Sequence, residues 1–248
     1  MRKTINFAHR GASGHCPENT LSAFSKALVL GATGIETDVQ LSADGRAVLI
    51  HDESLARTAG LNKLVKDTDF AELQTLDAGS WYSPAFDSER IPTLEQLLEL
   101  AKPADTILNL ELKNGIVPYP GLEQKVIGLV RDYGLADRVI LSSFNHYSLV
   151  LCKELAPEIR TGVLYMEGLY RPWEYAKSIQ ADALHAFKLA VTPEWVAEAK
   201  SCGIAYHPFT VNEESELEAL AEAGVDGIIT DYPDRLAEVL AKRGANPI

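Results

Sequence analysis

Short apolar runs alternate with amphipathic stretches almost from one end of the chain to the other. The runs at 4–8, 34–40, 47–50, 106–111, 138–142, 161–165, 183–185, 204–209 and 227–230 read as strands. Between them, helical spacing covers 20–30, 94–101, 120–133, 147–155, 172–178, 193–202, 213–222 and 233–242. Several helices carry start signals. Pro193 follows Thr192, and Pro233 follows Tyr232, which suits a first-turn position. Asn212 precedes Glu213 and Glu214 and reads as a cap with acids on the positive end of the helix dipole. Gly31, Gly134, Gly203 and Gly224 stand where helices should stop, each just ahead of the next strand.

Repeated strand–helix units with short connections imply a parallel sheet with helices outside it. Eight or nine such strands in 248 residues favour a closed (β/α)8 TIM barrel over an open sheet. The whole chain, 1–248, reads as one such domain. The stretch at 53–92 breaks the rhythm. It holds Gly60, Gly79, Trp81, Tyr82 and Pro84 and no clear sheet element. It reads as a small insertion after the His51 strand, either a surface excursion or a cap that shapes substrate access.

Composition narrows the function. Hydrophobic residues make up 46% and charged residues 23%, which is enough apolar material for a large core. Lys plus Arg number 23 against 35 Asp plus Glu, a net charge of −12. That sign argues against nucleic acid as a partner. An anionic small molecule fits only where local cations or a metal reverse the field. Cys16, Cys152 and Cys202 are too few and too scattered for a disulfide framework or a zinc cage. No apolar run has the length of a signal peptide or a membrane helix. The expectation is a soluble cytoplasmic protein without stable membrane insertion. Its oligomeric state is left open, a homodimer included.

Four short motifs end predicted strands, where barrel enzymes keep their reactive groups. They are His9-Arg10-Gly11, Glu36-Thr37-Asp38, His51-Asp52 and Glu111-Leu112-Lys113. Residues i and i+2 on a strand share a face, so Glu36 and Asp38 project together, and so do Glu111 and Lys113. Taken alone, such pairs also fit acids bridged to arginines or an internal Glu–Lys pair. Three acids at one mouth make a hard, oxygen-rich site that suits Mg²⁺ or Ca²⁺. Lys113 is then a point charge for an anion, and Arg10 offers a fork of donors to phosphoryl oxygens. Gly11 lets the backbone turn sharply beside a ligand. His9 and His51 can divide the work of general base and general acid. Of His15, His146, His185 and His207, three read as structural or solvent-exposed, and His185 as a residue that faces the mouth. Glu18 and Asn19 sit at a helix entry, with Asn19 or Thr20 as its cap and Glu18 also a candidate for substrate contact. Asp52 either orients a loop or supports the site.

The series His9-Arg10-Gly11, Pro17-Glu18-Asn19-Thr20, Glu36-Thr37-Asp38, His51-Asp52 and Glu111-Leu112-Lys113 resembles, in order, the motifs of the glycerophosphodiester phosphodiesterase family. The tail Thr210-Val211-Asn212 and the run from Asp226 to Pro233 are also similar. The resemblance implies a (β/α)8 barrel and one divalent metal on Glu36, Asp38 and Glu111. It implies acid–base roles for His9 and His51, and phosphate contacts from Arg10 and Lys113. The family often carries tryptophan before Thr-Val-Asn, where this chain has Phe209. The aromatic wall is kept and the indole donor is lost. The implied reaction is metal-dependent hydrolysis of a glycerophosphodiester to sn-glycerol 3-phosphate and an alcohol. Two rivals stand beside it. One is a phosphodiesterase barrel of the phospholipase D-like toxin type, which is secreted and disulfide-bonded. The other is a non-catalytic phosphodiester-binding barrel.

Overall fold

The structure, a computed structural model, describes residues 4–245, so the basic start of the chain, Arg2 and Lys3, lies outside it. The strands are β1 (Ile5–His9), β2 (Gly34–Leu41), β3 (Ala47–Leu49), β4 (Ile107–Leu112), β5 (Val139–Ser143), β6 (Arg160–Tyr165), β7 (Ala183–Ala186), β8 (Ala205–Tyr206) and β9 (Gly227–Thr230). The helices are α1 (Leu21–Val29), α2 (Ala56–Ala59), α3 (Phe70–Leu73), α4 (Leu94–Ala101), α5 (Leu122–Asp132), α6 (His146–Leu155), α7 (Pro172–Ser178), α8 (Pro193–Ser201), α9 (Glu214–Ala223) and α10 (Pro233–Ala245).

Parallel pairing runs β8-β7-β6-β5-β4-β2-β1-β9. The remaining gap is bridged past the end of the short β8. Tyr206 O accepts from Asp226 N at 3.1 Å, and Pro208 O accepts from Ile229 N at 3.0 Å. Eight parallel staves thus close into a barrel with helices around it, as the alternation predicts.

Every residue of β2 is buried, which suits a stave covered on both faces. Ile35 and Val39 face outward into a belt with Phe24, Ala27, Leu94, Leu97 and Leu98. The spacing of the three leucines puts them on one stripe of α4. That helix opens with a reciprocal cap between Thr93 and Gln96. A second belt, with Trp173, Val196 and Leu217, covers the β6–β9 side. Inside the barrel the apolar core is small: Phe7, Ile140 and Ile229.

β3 departs from the sequence reading. It is no stave. It pairs antiparallel with β2, Leu41 opposite Ala47 and Val39 opposite Leu49. β2 overshoots the barrel, turns at 42–46, and β3 runs back down toward the rim. Residues 53–92 then carry α2, α3 and two short 3₁₀ turns over a separate core of Val48, Ile50, Leu55, Val65, Leu73 and Ile91. The excursion ends where it began, with Leu49 N bonded to Pro92 O at 2.9 Å. Among the described residues, no helix is long and apolar enough to cross a membrane.

Candidate active site

Strand register assembles the site. His9 lies opposite Glu36, and Glu36 opposite Asn109. One layer higher, Asp38 lies opposite Glu111. The i, i+2 rule then brings three carboxylates to one place, and one oxygen from each lies within 4.8 Å of the others. Asp38 is 1% and Glu36 4% exposed.

Burial pushes Glu36 well above the usual carboxylate range, and Asp38 and Glu111 add to the push. Burial also lifts Glu111, to about 7, with Asp38 contributing. Burial works on Asp38 as well, but Arg10, His51, Lys113 and the Asn19 amide outweigh it and hold it low. Three acids in one buried nest are short of positive charge. The donor set is all oxygen, so the residues present fit a hard divalent cation such as Mg²⁺ or Ca²⁺.

Two cations flank the trio. Lys113 Nζ is 3.0 Å from Glu111 Oε1 and 3.9 Å from Asp38 Oδ1. Arg10 takes a left-handed φ of 54°, and its N–H donates to Glu36 Oε2 at 2.9 Å. Such a φ is costly for arginine and is held here by the carboxylate it serves. Its guanidinium donates to Glu18 Oε1 at 2.9 Å and lies 3.5 Å from Asp38. Gly11, at φ 81°, is packed against α1, where a Cβ would sit 2.7 Å from that of Ala23. The sharp turn expected there is present, and close packing with the helix adds a second demand for glycine.

Glu18 holds two cations: its oxygens accept from Arg10 at 2.9 Å and from Arg57 at 2.9 and 2.7 Å. Asn19 also departs from a capping role. Thr20 caps α1 by accepting from Ala23 N. Asn19 instead donates to Asp38 Oδ2 at 2.9 Å and accepts from Thr37 Oγ1 at 2.7 Å, which aims the Asp38 carboxylate.

The two rim histidines are built alike. His9 Nδ1 is 2.6 Å from Asp231 Oδ1, and His51 Nδ1 is 2.7 Å from Asp52 Oδ1. In the neutral ring each carboxylate favours the Nδ1–H tautomer, with Nε2 turned to the cleft. His9 Nε2 lies 4.0 Å from Glu36 Oε2. Asp231 is gripped in turn by Asn212 Nδ2 at 2.6 Å and Ser13 Oγ at 3.0 Å. Burial opposes the charge on Asp231, but the bonds from His9, Asn212 and Ser13 bring it to about 2. Arg57 grips Asp52 at 2.6 and 3.0 Å and holds it far below the usual range, with burial opposing. Burial lowers His51, with Arg10 and Lys113 adding to the fall and Asp38 resisting it. The His51 segment is stapled by Gln40, whose Nε2 donates to the carbonyls of Ile50, His51 and Asp52 at 2.9, 3.1 and 2.9 Å.

Sequence reasoning missed Asp231, Arg57, Gln40 and Ser13 and misread Asn212. Asn212 does not cap α9, whose N-cap is Glu213. The available signal was Asp231, the first residue past the end of β9, whose Thr230 pairs with Ala8 beside His9. His185 was expected at the mouth. It lies wholly buried beneath the cleft, with Nε2 at 3.0 Å from His207 Nδ1 and Nδ1 at 3.4 Å from Asn109 Nδ2. It fits there because Gly162 faces it, where a Cβ would come within 2.4 Å of the ring. His15 pairs with Asp234, and His146 bonds to Tyr175 Oη and Leu164 O, so neither serves the site.

The cleft over the trio encloses about 220 Å³, and its apolar wall is Phe144, Leu164, Phe209 and Ile229. Phe209 stands edge-on to Phe144, their centroids 6.2 Å apart. Glu111 and Phe144 also border a second lobe of about 340 Å³, completed by Glu53, Leu112, Lys113, Gly115 and Ile116.

Comparisons with known proteins agree with this constellation. The model of the "Glycerophosphoryl diester phosphodiesterase family" matches residues 9–235. A glycerophosphodiester phosphodiesterase of Caldanaerobacter subterraneus is 46% identical over 242 residues, which is 98% of this chain and 100% of that one. The solved structure of an Oleispira antarctica phosphodiesterase in complex with the product sn-glycerol-3-phosphate is 34% identical, with a TM-score of 0.88 over 96% of each chain. A glycerophosphodiester phosphodiesterase of Agrobacterium tumefaciens is 29% identical, with a TM-score of 0.84 over 95% of this chain and 99% of that one. An ordered motif series, a barrel that gathers those motifs at one mouth, and a family model spanning nearly the whole chain converge, and the chain belongs to the glycerophosphoryl diester phosphodiesterase family of enzymes.

Proposed function

We propose that this protein hydrolyses glycerophosphodiesters to sn-glycerol 3-phosphate and a free alcohol, with His9 and His51 as the acid–base pair. The observation that carries the reading is the matched pair of Asp–His dyads, Asp231–His9 and Asp52–His51, flanking one acidic nest. Binding alone needs no paired proton carriers, which weighs against a non-catalytic barrel.

A divalent cation, Mg²⁺ or Ca²⁺, held by Glu36, Asp38 and Glu111 would supply Lewis-acid neutralisation of the phosphoryl charge and acidify a neighbouring hydroxyl. The chain's own groups do the rest. Arg10 and Lys113 face the phosphoryl oxygens and stabilise charge that grows during displacement. One imidazole Nε2 takes the proton of the glycerol hydroxyl next to the phosphate as its oxygen attacks phosphorus. The bond from phosphorus to the head-group oxygen breaks, and the other imidazole, protonated at the start, delivers its proton to that oxygen. Water then opens the cyclic diester with the two roles exchanged. Direct attack by water uses the same two imidazoles. Phe209 and Phe144 wall the site and limit competing solvent.

The test is a panel of glycerophosphodiesters assayed for sn-glycerol 3-phosphate with and without EDTA. The expected outcome is release of that product, its loss in chelator and its recovery with added Mg²⁺ or Ca²⁺. Full turnover in metal-free enzyme removes the cation from the reaction. Tight binding with no product in the presence of metal favours a sensor, and release of the head-group alcohol from an acylated phospholipid with none from the deacylated diesters favours the toxin-like reading.

A further inference from the structure

We propose that the second lobe receives the leaving alcohol and that Glu53 tunes it for head groups bearing a positively charged nitrogen. This rests on the phosphodiesterase reading above.

The two lobes meet at Glu111 and Phe144, beside the acidic nest. A phosphorus atom held there has one ester arm for each lobe. The first lobe is walled largely by stave residues and their immediate ends, among them His9, Glu36, Asn109 and Ile229. A rigid wall suits the arm that every substrate shares, the glycerol. Beyond Glu111 and Leu112 of β4, the second lobe is made by loops: Glu53 after β3, Lys113, Gly115 and Ile116 after β4, and Phe144 after β5. Loop walls suit the arm that varies.

The charges of the second lobe are Glu53, Glu111 and Lys113. Glu111 and Lys113 neutralise each other across 3.0 Å. Behind them, Arg57 occupies Glu18 and Asp52. The Glu53 carboxylate makes no hydrogen bond or ion pair among the described residues. Its backbone is fixed all the same, since Glu53 O accepts from Val65 N at 3.0 Å. A half-buried, positioned carboxylate with no direct partner, which reaches Lys113 only through charge at a distance, is thus the surplus charge of the lobe. Around it, Phe144 is 45% and Ile116 81% exposed. Apolar surface and an aromatic ring beside one negative charge match an alkylated or primary ammonium, through charge attraction and cation–π contact.

The experiment compares kcat/KM on glycerophosphocholine and glycerophosphoethanolamine with that on glycerophosphoglycerol, whose leaving alcohol is neutral. Wild type, Glu53→Gln and Glu53→Lys are assayed in the same metal buffer. Glu53→Gln should lower the cationic-to-neutral ratio about fivefold, the scale of one partly exposed ion pair. Glu53→Lys should lower it further, and high salt should shrink the wild-type ratio. A ratio unchanged in both variants, or an equal loss on all three substrates, overturns the proposal. Wild-type enzyme that yields sn-glycerol 3-phosphate from none of them defeats the underlying reading instead.

Discussion

Two pairs of histidines occupy the barrel, and they differ in nearly every respect that decides chemistry. His9 and His51 stand at the rim, each with Nδ1 on a carboxylate and Nε2 toward the cleft. His185 and His207 lie under the cleft floor with no carboxylate, bonded to each other at 3.0 Å. Burial pushes both of the lower pair down, His207 to about 3, and His185 is lowered further by His207. In the proposed reaction the same side chain is therefore a proton carrier above and a neutral spacer below. Depth and the presence of an acid partner separate the two, and the ring itself does not.

Removing the upper rings gives the largest expected effect. His9→Ala and His51→Ala should each lower kcat by about 10²–10⁴-fold, the usual worth of a positioned acid or base. Circular dichroism should match wild type, because both rings are partly exposed at the rim. Near-normal turnover in either variant would put that ring outside the reaction.

Altering the acid partners should cost less. Asp231→Asn and Asp52→Asn keep the shape but no longer favour the Nδ1–H tautomer. Each should lower kcat by about 10²-fold with little change in KM. If Asp231→Asn is silent, the comparison between the upper and lower pairs loses its main term.

The smallest effect concerns the lower pair and appears in stability. The unfolded chain protonates these rings near pH 6.5, whereas the folded chain keeps them neutral to far lower pH. Their contribution is complete above about pH 6.5 and is lost on acidification toward the folded value. From pH 7 to pH 5, His207 alone should remove about 2 kcal/mol, read as a fall in the urea midpoint. His207→Gln should flatten that fall.

Much of this was legible in the sequence. The helix-ending glycines and the apolar runs locate the staves because a barrel repeats one local rule. Glu36, Asp38, Glu111 and Lys113 were visible because strand geometry makes i, i+2 pairing a local fact, and register does the rest. Asp231 and Arg57 were not singled out, because their importance lies in closing contacts 222 and 39 residues away in sequence. His185 was misplaced because a two-residue periodicity gives the inward direction and no depth along the axis. β3 was read as a stave because Ala47–Leu49 has the composition of one, and only pairing direction distinguishes a hairpin arm.

That hairpin has a consequence for how such an enzyme can change. The acidic nest and Arg10 sit on or beside staves that cannot be altered without disturbing the barrel. His51, Arg57 and Glu53 arrive together on one contiguous detour with its own apolar centre and closely spaced points of attachment. A single graft spanning 42–92 from a relative would exchange one imidazole, its brace and part of the leaving-group wall in one cut, leaving the acidic nest and Arg10 untouched.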